Sequence, residues 1–288
     1  MNYELRIILY LCSVEWKIIH IDETDSTNRW IMKQGDGSFV TSRDVSKADQ
    51  TTPFPSYSGG ESCAQVVVAE YQTAGKGCGS NTWESERGKN LTFSVLLHPT
   101  EIPADCQFRI SEAVSVAICE TLERWFRPLS PSDSSPNSGE QVITIKWPND
   151  IYVGDKKICG ILIENQLRGR LISDSIVGIG LNVNQTVFRS DAPNPVSLAQ
   201  LTGHEEDREA LLQAFLQRLS VTMEMEPEAL MEAYRSRLYR REGFHRFSDS
   251  RGEFEAKVMN VLDDGRLVLL DTEGKARMYA FKEVVFCL

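Results

Sequence analysis

The sequence predicts an α+β fold in which strands and amphipathic helices build a main domain and a small all-β module follows it. Three observations carry this. Short runs rich in β-branched and apolar residues recur at 16–21, 65–71, 90–97, 142–145, 158–164 and 176–183, the length and composition of buried strands. Between and after them, apolar residues repeat at helical spacing. Beyond Gly243 the runs become short and alternating, punctuated by Asp263-Asp264-Gly265 and Thr272-Glu273-Gly274, which are hairpin-turn signals.

Taken in order, residues 16–21 read as a strand. Asp25 or Ser26 then caps a short helix running to Gln34, with Gly35 as its terminator. Residues 35–62 are rich in Ser, Thr, Gly, Asp and Pro and are expected to form a surface loop. A strand at 65–71 enters a glycine-rich loop and another at 90–97 leaves it. Ile110, Ala113, Val114, Ala117, Ile118, Leu122 and Phe126 define a helix whose polar faces are expected to carry Glu112, Glu120 and Glu123. A second Pro/Ser-rich insertion, 128–140, leads into three apolar runs expected to be central strands. Leu211, Leu212, Phe215, Leu216 and Leu219 mark one face of a helix over 208–223, and a further helix with proline at its start is expected over 227–240. The expected division is a main domain at 1–242 and a β-module at 243–288, with no internal repeat.

Composition narrows the function. Lys and Arg total 31 against 41 Asp and Glu, a formal net charge of -10, the wrong sign for a protein that gains affinity by neutralising nucleic-acid phosphates. Seven cysteines, an odd number, lie scattered without a C-x-x-C pair or zinc-like spacing; reduced thiols in the cytoplasm fit best. The apolar run at 7–12 is too short for a membrane span.

Three segments carry candidate chemistry. In the first, Glu70-Tyr71-Gln72-Thr73-Ala74-Gly75-Lys76-Gly77-Cys78-Gly79-Ser80-Asn81-Thr82-Trp83, small residues let backbone N–H groups approach an anion and Lys76 adds charge. It is not a Walker A loop, because Glu70 stands where the first glycine is required and Gly77 follows Lys76. Nor is it a dinucleotide fingerprint, since Ser80 takes the place of the third glycine. A glycine-rich hairpin with an exposed lysine fits this segment nearly as well. In the second, Lys146-Trp147-Pro148-Asn149-Asp150 precedes Asp155-Lys156-Lys157-Ile158-Cys159-Gly160-Ile161-Leu162-Ile163-Glu164. Pro148 ends a strand and leaves Asn149 and Asp150 at its mouth, although turn chemistry and a solvated hairpin tip explain the same residues, and Trp147 fits a core position. In the third, Gly178-Ile179-Gly180-Leu181-Asn182-Val183-Asn184 is a strand whose glycines permit close backbone approach.

With Asp25-Ser26-Thr27-Asn28 ahead of them, these segments resemble the biotin protein ligase family in order and approximate spacing, over roughly residues 16–288. The resemblance implies a mixed sheet like that of class II aminoacyl-tRNA synthetases with helices on one side, and a C-terminal SH3-like β-barrel. It implies an ATP-dependent ligase that forms biotinyl-5'-AMP and transfers biotin to the acceptor lysine of a biotin carboxyl carrier domain. Ser26, Thr27, Asn28 and Gln72 would hold the ureido ring. Gly75, Lys76, Gly77 and Cys78 would fold over the biotin carboxylate and the phosphates, and Lys157 with Gly160 would meet the carboxylate and the reacting phosphorus. Lys157, Lys76 and Lys146 would be the catalytic cations. Asn81, Trp83, Lys146, Asn149 and Asn182 would contact ATP, and Asp150 would be a ligand of Mg2+.

The chain departs from the family at Cys78, where many members have arginine, and at Ser80, where they have glycine. A cysteine supplies no permanent charge, so weaker retention of the adenylate is expected. About fifteen residues precede the first strand, too few for the DNA-binding helix-turn-helix that some relatives carry; no nucleic-acid or membrane partner is expected, and a homodimer is. Two alternatives stay open: a lipoate or octanoyl ligase or transferase of the same superfamily, and a non-enzymatic sensor of biotinyl-adenylate.

Overall fold

The computed structural model describes residues 16–35, 64–79, 81–126, 142–190 and 192–287, so the two expected insertions lie outside the described residues. In chain order the elements are β1 (Trp16–Thr24), α1 (Thr27–Gly35), β2 (Ala64–Gln72), β3 (Leu91–Leu97), α2 (Phe108–Trp125), β4 (Ile143–Lys146), β5 (Asp150–Val153), β6 (Lys156–Arg168), β7 (Leu171–Leu181), α3 (Leu198–Thr202), α4 (Arg208–Met223), α5 (Pro227–Arg235), β8 (His245–Asp249), β9 (Gly252–Val261), β10 (Leu267–Asp271), β11 (Ala276–Tyr279) and β12 (Val285–Phe286). They group into two compact units, one of the described residues up to Glu101 with Ile158–Leu216, the other of Ile102–Lys157 with the chain from Gln217 onward.

The first unit is built on a mixed sheet in the order β1-β2-β3-β7-β6, with β1 parallel to β2 and the other neighbours antiparallel. Val66, Val67, Val68 and Ala69 of β2, and Phe93 and Val95 of β3, are almost fully buried, as expected of strands that read as near-continuous apolar runs. Ile31 of α1 packs with Ile21, Val67, Ala69 and Ile176, which seats the helix on the sheet. On α4, Phe215 meets Phe93 edge-on with centroids 5.5 Å apart, a geometry in which the ring edge faces the electron-rich ring face. Leu211, Leu212, Phe215, Leu216 and Leu219 are all buried, so the apolar stripe read from the sequence is the face that packs.

In the second unit α2 is the central helix. Glu112 was expected on its polar face but is buried, and burial raises its pKa to about 7, with Arg235 and Arg109 opposing and Asp263 reinforcing the shift. Helical spacing alone could not place it, because α2 is buried on more than one side. β4 is an edge strand rather than a central one: it pairs with β5, and its other side carries only the Ile145–Leu238 bridge among the described residues. That bridge also explains why α5 stops at Arg235 and not near residue 240, since Ile145 N–H donates to Arg237 O and Tyr239 N–H to Ile145 O. The β-module is an open five-stranded sheet in the order β11-β10-β9-β8-β12, with the two expected turns at 262–266 and 272–275 closing its hairpins.

Candidate active site

The turn between β1 and α1 opens the site in the first unit. Ser26, Thr27 and Asn28 are each about 3% exposed or less, so their polar atoms need partners inside the protein. Gln72, at the end of β2, supplies one: its Oε1 accepts from Thr27 N–H at 2.8 Å and lies 3.2 Å from Thr27 Oγ1. Ser94 of β3 supplies the next, with Oγ at 2.6 Å from both Thr27 Oγ1 and Asn28 Oδ1. Asn28 Nδ2 in turn donates to Glu164 Oε2 at 2.7 Å. The result is a network of mostly neutral groups, each fixed by its neighbour, with the Gln72 amide nitrogen directed toward Gly75.

The glycine-rich segment leaves this network as a narrow hairpin. Thr73 N–H and Ala74 N–H donate to Thr24 O and Asp25 O, which pins its base. Gly77 N–H then donates to Asn81 O at 2.8 Å and Trp83 N–H to Gly75 O at 2.9 Å. Gly75 is held so tightly that a Cβ there would meet Trp83 O at 2.6 Å; glycine is required by the close approach of the two arms. Cys78 is half-buried and Gly79 takes a left-handed φ of 71° at the tip. Ala74, Gly75, Lys76 and Gly77, with Asn81 and Thr82, border a cavity of about 400 Å3 completed by Arg29, Leu162 and Glu164.

The sheet beside this cavity is stripped of side chains. Gly178 and Gly180 stand two residues apart on β7, hence on one face; across the ladders, Gly178 pairs with Ser94 and Leu162 and Gly180 with Thr92 and Gly160. A Cβ on Gly178 would collide with the Asn28 side chain and one on Gly180 with the Trp83 indole. Asn182, next on that face, is buried; its Nδ2 donates to Val196 O at 3.1 Å, and its Oδ1 has no hydrogen bond among the described residues.

The second unit holds the other predicted residues on a hairpin. β4 ends at Lys146, Trp147-Pro148-Asn149 turns, β5 begins at Asp150, and the two-residue turn Gly154-Asp155 leads into β6 and Lys157. Lys157 Nζ lies 2.6 Å from Asp150 Oδ1. Lys146 Nζ donates to Tyr152 OH at 2.9 Å and sits 5.5 Å from the centre of the Phe286 ring. Burial holds the Lys146 pKa below the ordinary lysine value; Lys157 and Arg240 push the same way and the Asp150 carboxylate opposes them. Trp147 is a core residue, buried, with Nε1 donating to Gly265 O at 2.9 Å.

Within the first unit the structure thus joins Thr27, Asn28 and Gln72 in one network, sets Ser26 beside it with its N–H donating to Asp25 Oδ1, and places Gly75, Lys76, Gly77 and Asn81 on one cavity. Trp83 lies over Gly180, the cross-strand partner of Gly160. Within the second it joins Lys146, Asp150 and Lys157 on one hairpin that also carries Asn149. Sequence reasoning missed Arg29 and Ser94 and gave no role to Leu162 and Glu164, although they close the second segment; Arg29, Leu162 and Glu164 border the cavity. The signals were present: Leu162 and Glu164 alternate outward from Gly160 with strand period, and Thr92 and Ser94 are polar residues inside an otherwise apolar buried strand.

The sequence model of the biotin/lipoate A/B protein ligase family matches residues 60–182, the stretch holding the glycine hairpin, the lysine hairpin and β7. The chain is 30% identical over 257 residues to the bifunctional ligase/repressor BirA of Bacillus spizizenii, covering 85% of this chain and 73% of that one. It is 25% identical over 233 residues to the biotin–[acetyl-CoA-carboxylase] ligase of Mycobacterium tuberculosis, covering 79% of this chain and 81% of that one. In fold it matches the biotin protein ligase of Aquifex aeolicus in complex with biotin and ATP, with a TM-score of 0.65 at 24% identity, over 93% of this chain and 97% of that one. These matches define the class as a ligase with the biotin/lipoate fold. The chain belongs to the biotin protein ligase family of enzymes.

Proposed function

We propose that this enzyme joins biotin to ATP as biotinyl-5'-AMP and transfers the biotinyl group to the acceptor lysine of a biotin carboxyl carrier domain. The observation that carries the reading is the neutral network of Thr27, Asn28, Gln72 and Ser94, set beside a cavity bordered by glycine-hairpin backbone and Lys76. A ureido ring is uncharged but rich in donors and acceptors, and such a ring is best matched by fixed neutral partners. Ser26, Thr27, Asn28 and Gln72 take that ring, and Gly75, Lys76, Gly77 and Cys78 enclose the carboxylate end, where exclusion of water strengthens every charge interaction.

In the first step a carboxylate oxygen attacks the α-phosphorus and pyrophosphate leaves, so two anions must meet while charge grows on phosphoryl oxygens. Fixed cations lower that barrier: Lys157 is the chief one, with Lys76 and Lys146 beside it in role. Asn81, Trp83, Asn149 and Asn182 serve the nucleotide, Trp83 by its ring and the others by amide groups, and Gly160 keeps the face beside Gly180 open. In the second step a neutral lysine amine of the carrier attacks the mixed anhydride carbonyl and AMP leaves. Magnesium fits as an ion carried by the triphosphate. No group of three or more His, Cys, Asp or Glu able to hold a metal exists among the described residues, and Asp150, already paired with Lys157, offers at most one carboxylate oxygen to it, in keeping with the few protein ligands such ions take.

The same reading takes residues 1–242 as the catalytic domain, 243–288 as an SH3-like module, the cytoplasm as the compartment and a homodimer as the assembly. Among the described residues no helix is long and apolar enough to cross a membrane. The test is mass spectrometry of a carboxylase carrier domain incubated with the chain, ATP, magnesium and biotin: one biotinyl group on one lysine is expected, and modification by lipoate alone would overturn the reading.

A further inference from the structure

One side chain outside the lysine hairpin reaches both of its lysine-bearing arms. Tyr239 follows α5 and is 7% exposed. Its hydroxyl donates to Asp155 Oδ1 at 2.7 Å, in the two-residue turn from which Lys157 emerges. Its ring packs on that of Tyr152 with centroids 5.2 Å apart, and the Tyr152 hydroxyl is the acceptor for Lys146 Nζ. Its backbone N–H donates to Ile145 O at 2.9 Å, one residue before Lys146. Beyond the hairpin, its ring stacks on Phe286 at 6.3 Å and 28° and lies 5.2 Å from the Arg240 guanidinium carbon. Arg240 is itself tied down, donating to Arg246 O and Cys287 O. Burial, followed by the bond to Asp155, raises the phenol's pKa above its ordinary value, so the hydroxyl remains a donor at neutral pH.

We infer that Tyr239 is a positioning residue for Lys157 and Lys146, fixing the first through the Asp155 turn and the second through Tyr152. This rests on the reading above that both lysines act on phosphate. A lysine side chain has many rotamers to lose when it is held in one place, and a cation displaced by about 1 Å from a developing charge forfeits much of its effect. Within the hairpin Asp150 pairs with Lys157 and Tyr152 accepts from Lys146. Tyr239 stops the turn and the Tyr152 ring from moving independently of each other.

The test is single-turnover pyrophosphate release from the full chain with saturating biotin and magnesium-ATP, alongside biotin affinity measured by calorimetry without ATP. Tyr239→Phe keeps the ring and removes the hydroxyl; release is expected to slow roughly 10-fold with biotin affinity within about twofold of the parent. Asp155→Ala, in an exposed turn, is expected to slow release equally, and to add nothing to Tyr239→Phe. Asp155→Asn, which keeps an acceptor, is expected to restore most of the rate. In a Lys157→Ala background, Tyr239→Phe is expected to change release less than about twofold, because the main group it positions is gone. A parental rate in Tyr239→Phe, or an undiminished loss in the Lys157→Ala background, would overturn the inference while leaving the lysines' role intact. A parental rate in Lys157→Ala alone would overturn the reading of the lysine first, and this inference with it.

Discussion

The two regions that carry the candidate chemistry are built on opposite principles. The β1–α1 turn, Gln72 and Ser94 form a buried lattice whose members are mostly uncharged and each satisfied by the next. The lysine hairpin concentrates charge instead: Lys157 on Asp150, and Lys146 partly buried against Tyr152 and Phe286. A neutral lattice discriminates shape and hydrogen-bond pattern without favouring any change in charge. A set of fixed cations does the reverse, being indifferent to most of a substrate and decisive where negative charge grows. On the proposed reading the division separates recognition from rate enhancement, so each region should be open to damage without the other.

The largest expected effect breaks the charged side. Lys157→Ala should slow pyrophosphate release by about 10²- to 10³-fold, the scale on which removal of a group stabilising transition-state charge acts. The urea midpoint should move little, because a partly exposed ion pair contributes at most about 1 kcal/mol. A mutant that releases pyrophosphate at the parental rate would assign the charge elsewhere. Next, Gly180→Val drives a branched side chain into the Trp83 indole; overpacking should cost about 1–3 kcal/mol of stability, read by urea denaturation, and weaken nucleotide binding more than biotin binding.

The charged unit should also carry a pH dependence of its own. Glu112 titrates near 7 in the folded chain because of its burial, against about 4.5 when unfolded, so between those values the folded state holds the extra proton. Stability should therefore fall as pH rises from about 4.5 to about 7, by roughly 3 kcal/mol in all, and level off above. Glu112→Gln should flatten that slope, as unfolding at pH 5 and pH 8 would report; an unchanged slope would place the titrating group elsewhere. The smallest effect tests the neutral side. Thr27→Val removes the hydroxyl that meets Gln72 and Ser94, and should weaken biotin binding by about 1–2 kcal/mol while leaving the KM for ATP unchanged, as titration calorimetry and steady-state kinetics would show.

Much of the frame was legible in the sequence because it follows from period and punctuation. Residues 65–71 and 90–97 read as strands and are strands, and Leu211, Leu212 and Phe215 marked the packed face of α4. The glycines of β7 were legible as sites of close approach; which groups approach them, Asn28 and Trp83, depends on contacts across more than ninety residues of chain and could not be read locally. Glu112 was misplaced for a related reason, since periodicity reports which face is apolar but not that both sides of α2 are covered. Arg29 was passed over because it follows the Asp25-Ser26-Thr27-Asn28 turn, and Glu164, although it closes the second segment, received no role because its partner Asn28 lies 136 residues away. Tyr239 lies in a run of arginines where nothing marks it as reaching a turn eighty-four residues earlier.

The paired glycines of β7 have a practical corollary for altering what the pocket admits. Because the strand is already bare there, no truncation along it can make room; Asn28 and Trp83 fill the notches above Gly178 and Gly180, while Leu162, the cross-strand neighbour of Gly178, borders the cavity itself. On the proposed reading, room for a bulkier biotin analogue comes from trimming Leu162, whose side chain carries no polar atom and can shrink without stranding a donor.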